Sequence, residues 1–314
     1  MRRKTVSEVA VWMVTAVAAA TVWGQGMLVP PGSPAPTMRT LLQVEPRTPI
    51  DSIPYTVTES GSYYVTSNLV STGDGITIQA SYVTVDLMGF TLEGDSSGGS
   101  DYGVFLNGNT NELDFLHGVT VMNGIVRGFF DGLRVEQSQG CRFEHLVLTG
   151  STRNGAIFYG NFSQCYGNVV EDCSLRDNGD YGIRLESYKG DCSGNRILQC
   201  NIDQNANGGV FFNASGGVCR GNSVVGCTMV GNGSFGISAY AADGSRFERN
   251  HFSAQVGATT YGIRSYGGPQ SFIFGNTAWG NTNNFAPSGA DTYGPIVTTS
   301  GELSASDPWA NFSR

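Results

Sequence analysis

Charge is scarce in this sequence. Only 14% of its 314 residues are Asp, Glu, Lys or Arg, and the net charge is −8 at neutral pH. The sequence carries no basic stripe, which excludes the electrostatic footprint of a nucleic-acid binder. Long apolar runs are nearly as rare. Val9 to Val22 is one, but its fourteen residues fall short of the about 20 needed to cross a membrane, and no later run reaches that length. Cys-x-x-Cys pairs are missing as well, which argues against zinc, so the sequence implies no metal and no cofactor.

The N-terminus supplies an address. Arg2, Arg3 and Lys4 precede the apolar stretch, and Ala18-Ala19-Ala20 and Val22-Trp23-Gly24 offer two cleavage sites. This is the pattern of a signal peptide over residues 1–24. Its removal takes away three positive charges and one negative, leaving −10 and no stable membrane span. An exported protein is expected, placed in the periplasm, at the cell surface or outside. Residues 25–60 form a Pro-rich leader and N-terminal cap. Pro30, Pro31, Pro34, Pro36, Pro46, Pro49 and Pro54 rule out helix and central strand there.

Beyond the leader a repeat takes over. Glycine followed by an apolar or small residue recurs at Gly75, Gly103, Gly132, Gly155, Gly182, Gly209, Gly236 and Gly262, in steps of 28, 29, 23, 27, 27, 27 and 26 residues. Each glycine opens an alternating segment such as Ile183-Arg184-Leu185-Glu186, the mark of a strand with one buried face. Further strands follow in each repeat near Val169-Val170 and Leu175, and near Ile197-Leu198 and Ile202. Three short strands bury little alone, but stacked coil on coil they pair in parallel around a continuous core. The fold class is therefore all-β: a single-stranded right-handed parallel β-helix, or β-solenoid, over residues 61–285, with a C-terminal tail or cap over 286–314. Its eight or so coils, rising about 4.8 Å each, make a rod of roughly 40 Å. The Leu-x-x-Leu-x-Leu spacing of a leucine-rich horseshoe and the longer repeats of a propeller are both missing.

Columns of like residues set the register. Asn178, Asn205 and Asn232 lie 27 apart and can hydrogen-bond up the rod. A second column reads Asn123, His145, Cys173, Cys200, Cys227, Asn250, Asn276, which makes His145 a ladder member. A third reads Cys165, Cys192, Cys219, and aromatics precede the glycine at Tyr102, Tyr181, Phe235 and Tyr261. Each has a sufficient structural explanation. Seven cysteines in an exported chain invite disulfides, and in-register neighbours would be close enough to bond. Columns of three and an odd seventh, Cys141, favour stacked free thiols instead.

Pro36 to Leu41, Val44 to Ile50, Gly61 to Leu69, Val83 to Leu92, and the ending Gly294-Pro295-Ile296-Val297 with Pro308 to Phe312 resemble a group of exported bacterial right-handed β-helix proteins. The resemblance spans nearly the whole mature chain. It implies the fold and the export, and it supplies no catalytic residue. The wider class resembles pectate lyases and polygalacturonases, yet Asn-Thr-Asp, Asp-Asp, Gly-His-Gly and Arg-x-Pro-x-x-Arg are all missing here. Fold alone does not carry function.

Chemistry is left to the outward face of the glycine-led strand. Its first column holds Thr77, Phe105, Arg134, Ile157, Arg184, Phe211, Ser238 and Arg264. The second holds Gln79, Asn107, Glu136, Tyr159, Glu186, Asn213, Tyr240 and Tyr266. Aromatic and guanidinium groups in this mixture suit a polysaccharide or cell-surface glycan. The substrate-binding candidates are Arg134, Tyr159, Arg184, Phe211, Tyr240, Arg264 and Tyr266, on a patch about 24 Å long. Tyr159 and Arg184 are expected to point to solvent, and the three arginines to form a positive stripe. Glu136 and Glu186, two coils and roughly 9.6 Å apart, are the candidate catalytic pair at the spacing of an inverting glycosidase. Three functions stay open: a carbohydrate-binding surface protein, a polysaccharide hydrolase or lyase, and a structural envelope rod.

Overall fold

The glycine column explains why the coils stack as they do. The computed structural model describes residues 45–97, 99–108, 115–267, 270–298 and 307–314. The expected signal peptide and most of the expected Pro-rich leader lie outside these residues. A Cβ built on Gly132 would meet the carbonyl oxygen of Gly155 at 2.8 Å, one on Gly155 that of Gly182 at 2.7 Å, and one on Gly209 that of Gly236 at 2.5 Å. Each coil thus rests its backbone on the glycine of the next, so a side chain at this position would force the sheet apart.

All eight glycine-led segments lie in one parallel sheet of ten strands, which runs from Tyr55–Val57 to Asn283–Ala286. The register is the one the sequence implies: Leu133 pairs Ala156, Ala156 pairs Ile183, and Ile183 pairs Val210. A second network of twenty strands forms the other walls. One strip runs through Val169–Glu171, Arg196–Leu198 and Ser223–Val225, the other through Ser174–Arg176, Asn201–Asp203 and Thr228–Val230. The strips merge in Thr120–Arg127 and Arg142–Thr149, which bend at left-handed Asn123 and His145. A short third ladder joins Leu116–His117, Ser138–Gln139 and Cys165–Tyr166. Every ladder is parallel, and parallel connections are right-handed in nearly all proteins. The chain is a right-handed parallel β-helix. Among the described residues Thr48–Ile50, at its start, pairs only with Gly61–Val65, an edge on which Pro49 is tolerated.

The core is a stack of aliphatic ranks. Ile76, Val104, Leu133, Ile183, Val210, Ile237 and Ile263 fill one inward position, all at most 1% exposed. Each such side chain contributes about 1.5–3 kcal/mol of burial. The corners are polar and carry amide ladders. Asn178 N and Nδ2 both donate to Asn205 Oδ1, at 3.2 and 2.8 Å, and Asn205 repeats this to Asn232. A second amide ladder, unread in the sequence, climbs Asn168, Asn195 and Asn222 on the same 27-residue step.

One column needs correcting. Cys173, Cys200, Cys227, Asn250 and Asn276 do stack, but the residue below Cys173 is Leu146, whose amide donates to Cys173 Sγ at 3.4 Å. His145 sits one residue earlier in a column of left-handed corners that continues through Asp172, Gln199 and Arg249. Its ring is exposed and faces Asp172 at 3.9 Å. A corner that turns outward presents the side chain to water, so His145 is not a ladder member, and Asn123 shares its corner position.

All seven thiols are free and buried. Burial pushes the Cys141 thiol up to about 12 and raises Cys192. Cys173 is raised first by its hydrogen bond to Cys200 and then by burial.

Candidate functional site

The ten-stranded sheet presents its outward residues in the columns anticipated from parity. Arg134 pairs Ile157, Ile157 pairs Arg184, Arg184 pairs Phe211, Phe211 pairs Ser238, and Ser238 pairs Arg264. Beside it run Glu136, Tyr159, Glu186, Asn213, Tyr240 and Tyr266 in the same register. All nine candidate residues therefore share one face.

Their environments divide them. The arginines are clamped among rings, with the Arg134 guanidinium 4.7 Å from the Tyr102 ring and 5.1 Å from Tyr159. Arg184 lies 5.8 Å from Tyr181 and 5.9 Å from Phe211. Their side chains are only 13% and 20% exposed. The expectation that Arg184 and Tyr159 point freely to solvent fails: Arg184 lies under aromatic cover, and Tyr159 is half-buried with its phenol raised first by burial and then by Glu186. The same cover leaves Ile157, between the two arginines, 1% exposed.

The positive stripe also fails. Arg134 Nε donates to Glu136 at 2.6 Å and the guanidinium lies 3.5 Å from Asp131. Arg184 donates to Glu186 at 2.7 Å with Asp180 at 4.0 Å. Both charges are neutralised in place, and of the three column arginines Arg264 alone has no ion pair to a described carboxylate. As for the two glutamates, Tyr159 occupies the coil between them, and Asn213 Nδ2 adds a 3.2 Å bond to Glu186.

One residue escaped notice in the sequence. Asp131 stands in the column of Tyr102, Tyr181 and Phe235, yet it is fully buried. Asn154 Nδ2 donates to it at 2.7 Å and Arg153 Nε lies 3.2 Å away. Burial is the first influence on this carboxyl and raises it, against the pull of Arg153, Asn154 and Arg134. It anchors the base of Arg134.

Toward the far end the face becomes aromatic. Tyr181, Phe211 and Phe235 form a stacked trio with centroids 4.9 to 6.0 Å apart. Gly208 makes room for it, since a Cβ there would strike the Phe235 ring. Tyr240 and Tyr266 follow at 5.2 Å, 37% and 39% exposed. Immediately beyond them, left-handed Ala241 and Gly267 turn the chain. These turns line a cleft of about 480 Å3 with Ala214, Val218, Arg220 and Asp243.

Comparison with known proteins adds a family. The model described as "Periplasmic copper-binding protein (NosD)" matches residues 67–295. No curated protein matches the sequence. Among solved structures, the A-module of mannuronan C-5 epimerase AlgE4 from Azotobacter vinelandii superposes with a TM-score of 0.53 at 16% identity, over 82% of this chain and 78% of that one. ORF18 of Geobacillus virus E2 gives 0.53 at 14% identity, over 74% and 52%. The Dettilon tailspike protein gp208 gives 0.52 at 13%, over 85% and 60%. The chain thus spans only about half to two thirds of the two viral proteins' lengths. At such identities the likeness is one of fold.

The family description raises copper, which is held by imidazole, thiolate and thioether donors. Among the described residues no three His, Cys, Asp or Glu side chains converge. His251 shares a 2.8 Å hydrogen bond with Thr277, His145 faces Asp172, all seven thiols are buried, and Cys141, Cys173, Cys192 and Cys200 hold their protons more tightly than a free thiol. A metal needs the thiolate. These residues do not fit a copper site.

Proposed function

Since the chain belongs to the NosD family of periplasmic proteins, we propose that it is an exported carbohydrate-binding β-helix that uses the outward face of its ten-stranded sheet. The observation that carries this is the contiguous run of aromatic and guanidinium groups on adjacent strands from Arg134 to Tyr266. Flat rings held rigidly against one another suit the C–H faces of pyranoses, and rigid polar groups beside them suit hydroxyls. Aromatic contacts of this kind contribute about 1 kcal/mol each, so affinity should grow with glycan length. Export would follow from the signal peptide at residues 1–24. The exposed Tyr240 and Tyr266 pair is the centre of the site, and Tyr159, Arg184 and Phe211 build its approach.

The test is a glycan array combined with a reducing-sugar assay. Binding that weakens about tenfold in a Tyr240→Ala, Tyr266→Ala double variant supports the face. Binding by wild type that the double variant retains moves the site elsewhere. The reducing-sugar arm tests the hydrolase reading of Glu136 and Glu186: turnover lost in Glu186→Gln would replace binding with catalysis. If wild type binds nothing on the array, the structural-rod reading takes its place.

A further inference from the structure

The three arginines of the outward column are three copies of one arrangement, and the third copy is incomplete. In the first, Asp131-Gly132-Leu133-Arg134-Val135-Glu136, a carboxylate stands two residues after the arginine and another three before it. In the second, Asp180-Tyr181-Gly182-Ile183-Arg184-Leu185-Glu186, they stand two after and four before. The third reads Thr260-Tyr261-Gly262-Ile263-Arg264-Ser265-Tyr266. The Tyr-Gly-Ile-Arg core of the second copy is repeated, but threonine has replaced Asp180 and tyrosine has replaced Glu186.

The side chain is nonetheless held in place. The Arg264 guanidinium lies 4.7 Å from the Phe235 ring, 5.3 Å from Tyr261 and 5.5 Å from Tyr266. Its Nε donates to Ser238 Oγ at 2.8 Å. The two terminal nitrogens make no hydrogen bond or ion pair to any described residue, and neither is among the buried atoms left without a partner. They therefore face water from a rigid cage. Such a fork is preorganised for the two oxygens of a carboxylate, and little side-chain freedom is lost when one binds.

We propose that Arg264 is the carboxylate-binding subsite of this face and that its ligand is an acidic glycan, a polymer of uronic acid units. The ligand supplies the group that Glu136 and Glu186 supply to the other two arginines. This rests on the glycan-binding reading above and adds its chemical class. Tyr266 and Tyr240 lie beside the fork, so the ring of the same uronate would stack there while its carboxylate meets Arg264. Elsewhere on the column the arginines are already neutralised, which limits strong recognition of the acid to one sugar position.

The experiment is calorimetric titration of the full chain with a defined-length oligogalacturonate or oligomannuronate and with its methyl ester, at low salt. The readout is the ratio of the two affinities. The acid is expected to bind about tenfold tighter than the ester, as charge-assisted bonds outweigh neutral ones. Arg264→Gln should bring the ratio to about one. Tyr266→Glu should do the same with Arg264 still in place, because it restores the carboxylate seen beside Arg184, an arrangement this fold demonstrably accommodates. Lost stacking in that variant lowers both affinities and leaves the ratio to report on the fork. Equal binding of acid and ester by wild type, or a preference that survives both substitutions, overturns the inference while leaving the glycan face standing. Binding of neutral glycans with no uronate binding overturns it too. Failure to bind any glycan overturns the inference and the glycan-face reading together.

Discussion

Asn205 Nδ2 donates to Asn232 Oδ1 at 2.9 Å inside the rod, and its own Oδ1 accepts both the amide and the side chain of Asn178. One side chain thus closes hydrogen bonds on three coils, and its Nδ2 also reaches Leu175 O. Asn205→Ala would leave several buried groups unpaired at once, each at about 1–3 kcal/mol before relaxation. A loss of about 3 kcal/mol is expected by denaturant unfolding. Asn207→Ala, at an exposed position two residues on, should change less than about 0.5 kcal/mol.

The thiol columns predict an alkaline weakness. Cys141, Cys173, Cys192 and Cys200 all have raised values in the folded chain. A raised thiol stays protonated in the native state while the unfolded chain ionises near about 8.5. Its stabilising effect is complete below that pH and is lost as pH climbs toward the folded value, about 12 for Cys141. Each thiol can remove up to about 1.4 kcal/mol per pH unit. The melting temperature should be level from pH 7 to about 8 and fall steeply above about 9, less steeply in Cys192→Ala. A level profile through about pH 10 would sink the idea.

Asp131 should be costly to remove and inexpensive to neutralise. It is fully buried between Arg153 and Arg134. Asp131→Ala leaves the guanidiniums without that partner and should cost about 3 kcal/mol. Asp131→Asn keeps an acceptor for Asn154 and relieves an ion that burial disfavours, so its cost should be smaller. Comparing the two variants in urea decides whether charge or hydrogen bonding holds Arg134.

Arg184 supplies the fourth test. Were it a free surface side chain, Arg184→Ala would change stability little. Clamped between rings and paired to Glu186, it should cost about 1–3 kcal/mol, measured by thermal unfolding. Arg184→Met with Glu186→Gln, which keeps the packing and removes both charges, should recover most of that loss.

How much of this was legible depended on what repeats. The Asn178 ladder and both cysteine columns recur on a fixed 27-residue step and the glycine column on steps of 23 to 29, and the structure stacks them as that spacing implies. His145 was misplaced because the repeat it belongs to is only 23 residues long, from Gly132 to Gly155. That shortened repeat hides which residue takes the left-handed corner. Asp131 was invisible for another reason. Its column holds aromatic rings at Tyr102, Tyr181, Phe235 and Tyr261, and the partners that bury it, Arg153 and Asn154, arrive from a turn in the next coil. Parity placed the outward columns on one sheet face but could not reveal that two arginines were already neutralised, since that depends on rotamers and not on spacing.

The shared 27-residue step has a consequence for chain length. Gly155, Gly182 and Gly209, the asparagines of both ladders and the cysteines of both columns all advance by the same count. Excising residues 182–208 would therefore bring Gly209 onto Gly155 and Asn232 onto Asn178, with both amide ladders and both cysteine columns still in register. In this stretch a coil is close to an exchangeable unit: the rod keeps its ladders when shortened, and the contact to refit is the one where Tyr181 takes the place of Gly208 against the Phe235 ring. The outward face of the ten-stranded sheet would change with it, because the excised coil is the one that carries Arg184 and Glu186. Joined this way, the shortened protein would bring Tyr159 next to Asn213. It would have one fewer neutralised arginine and an Arg264 fork one coil closer to the first. Length is thus the variable through which this architecture can alter the spacing of its charges while its core stays the same.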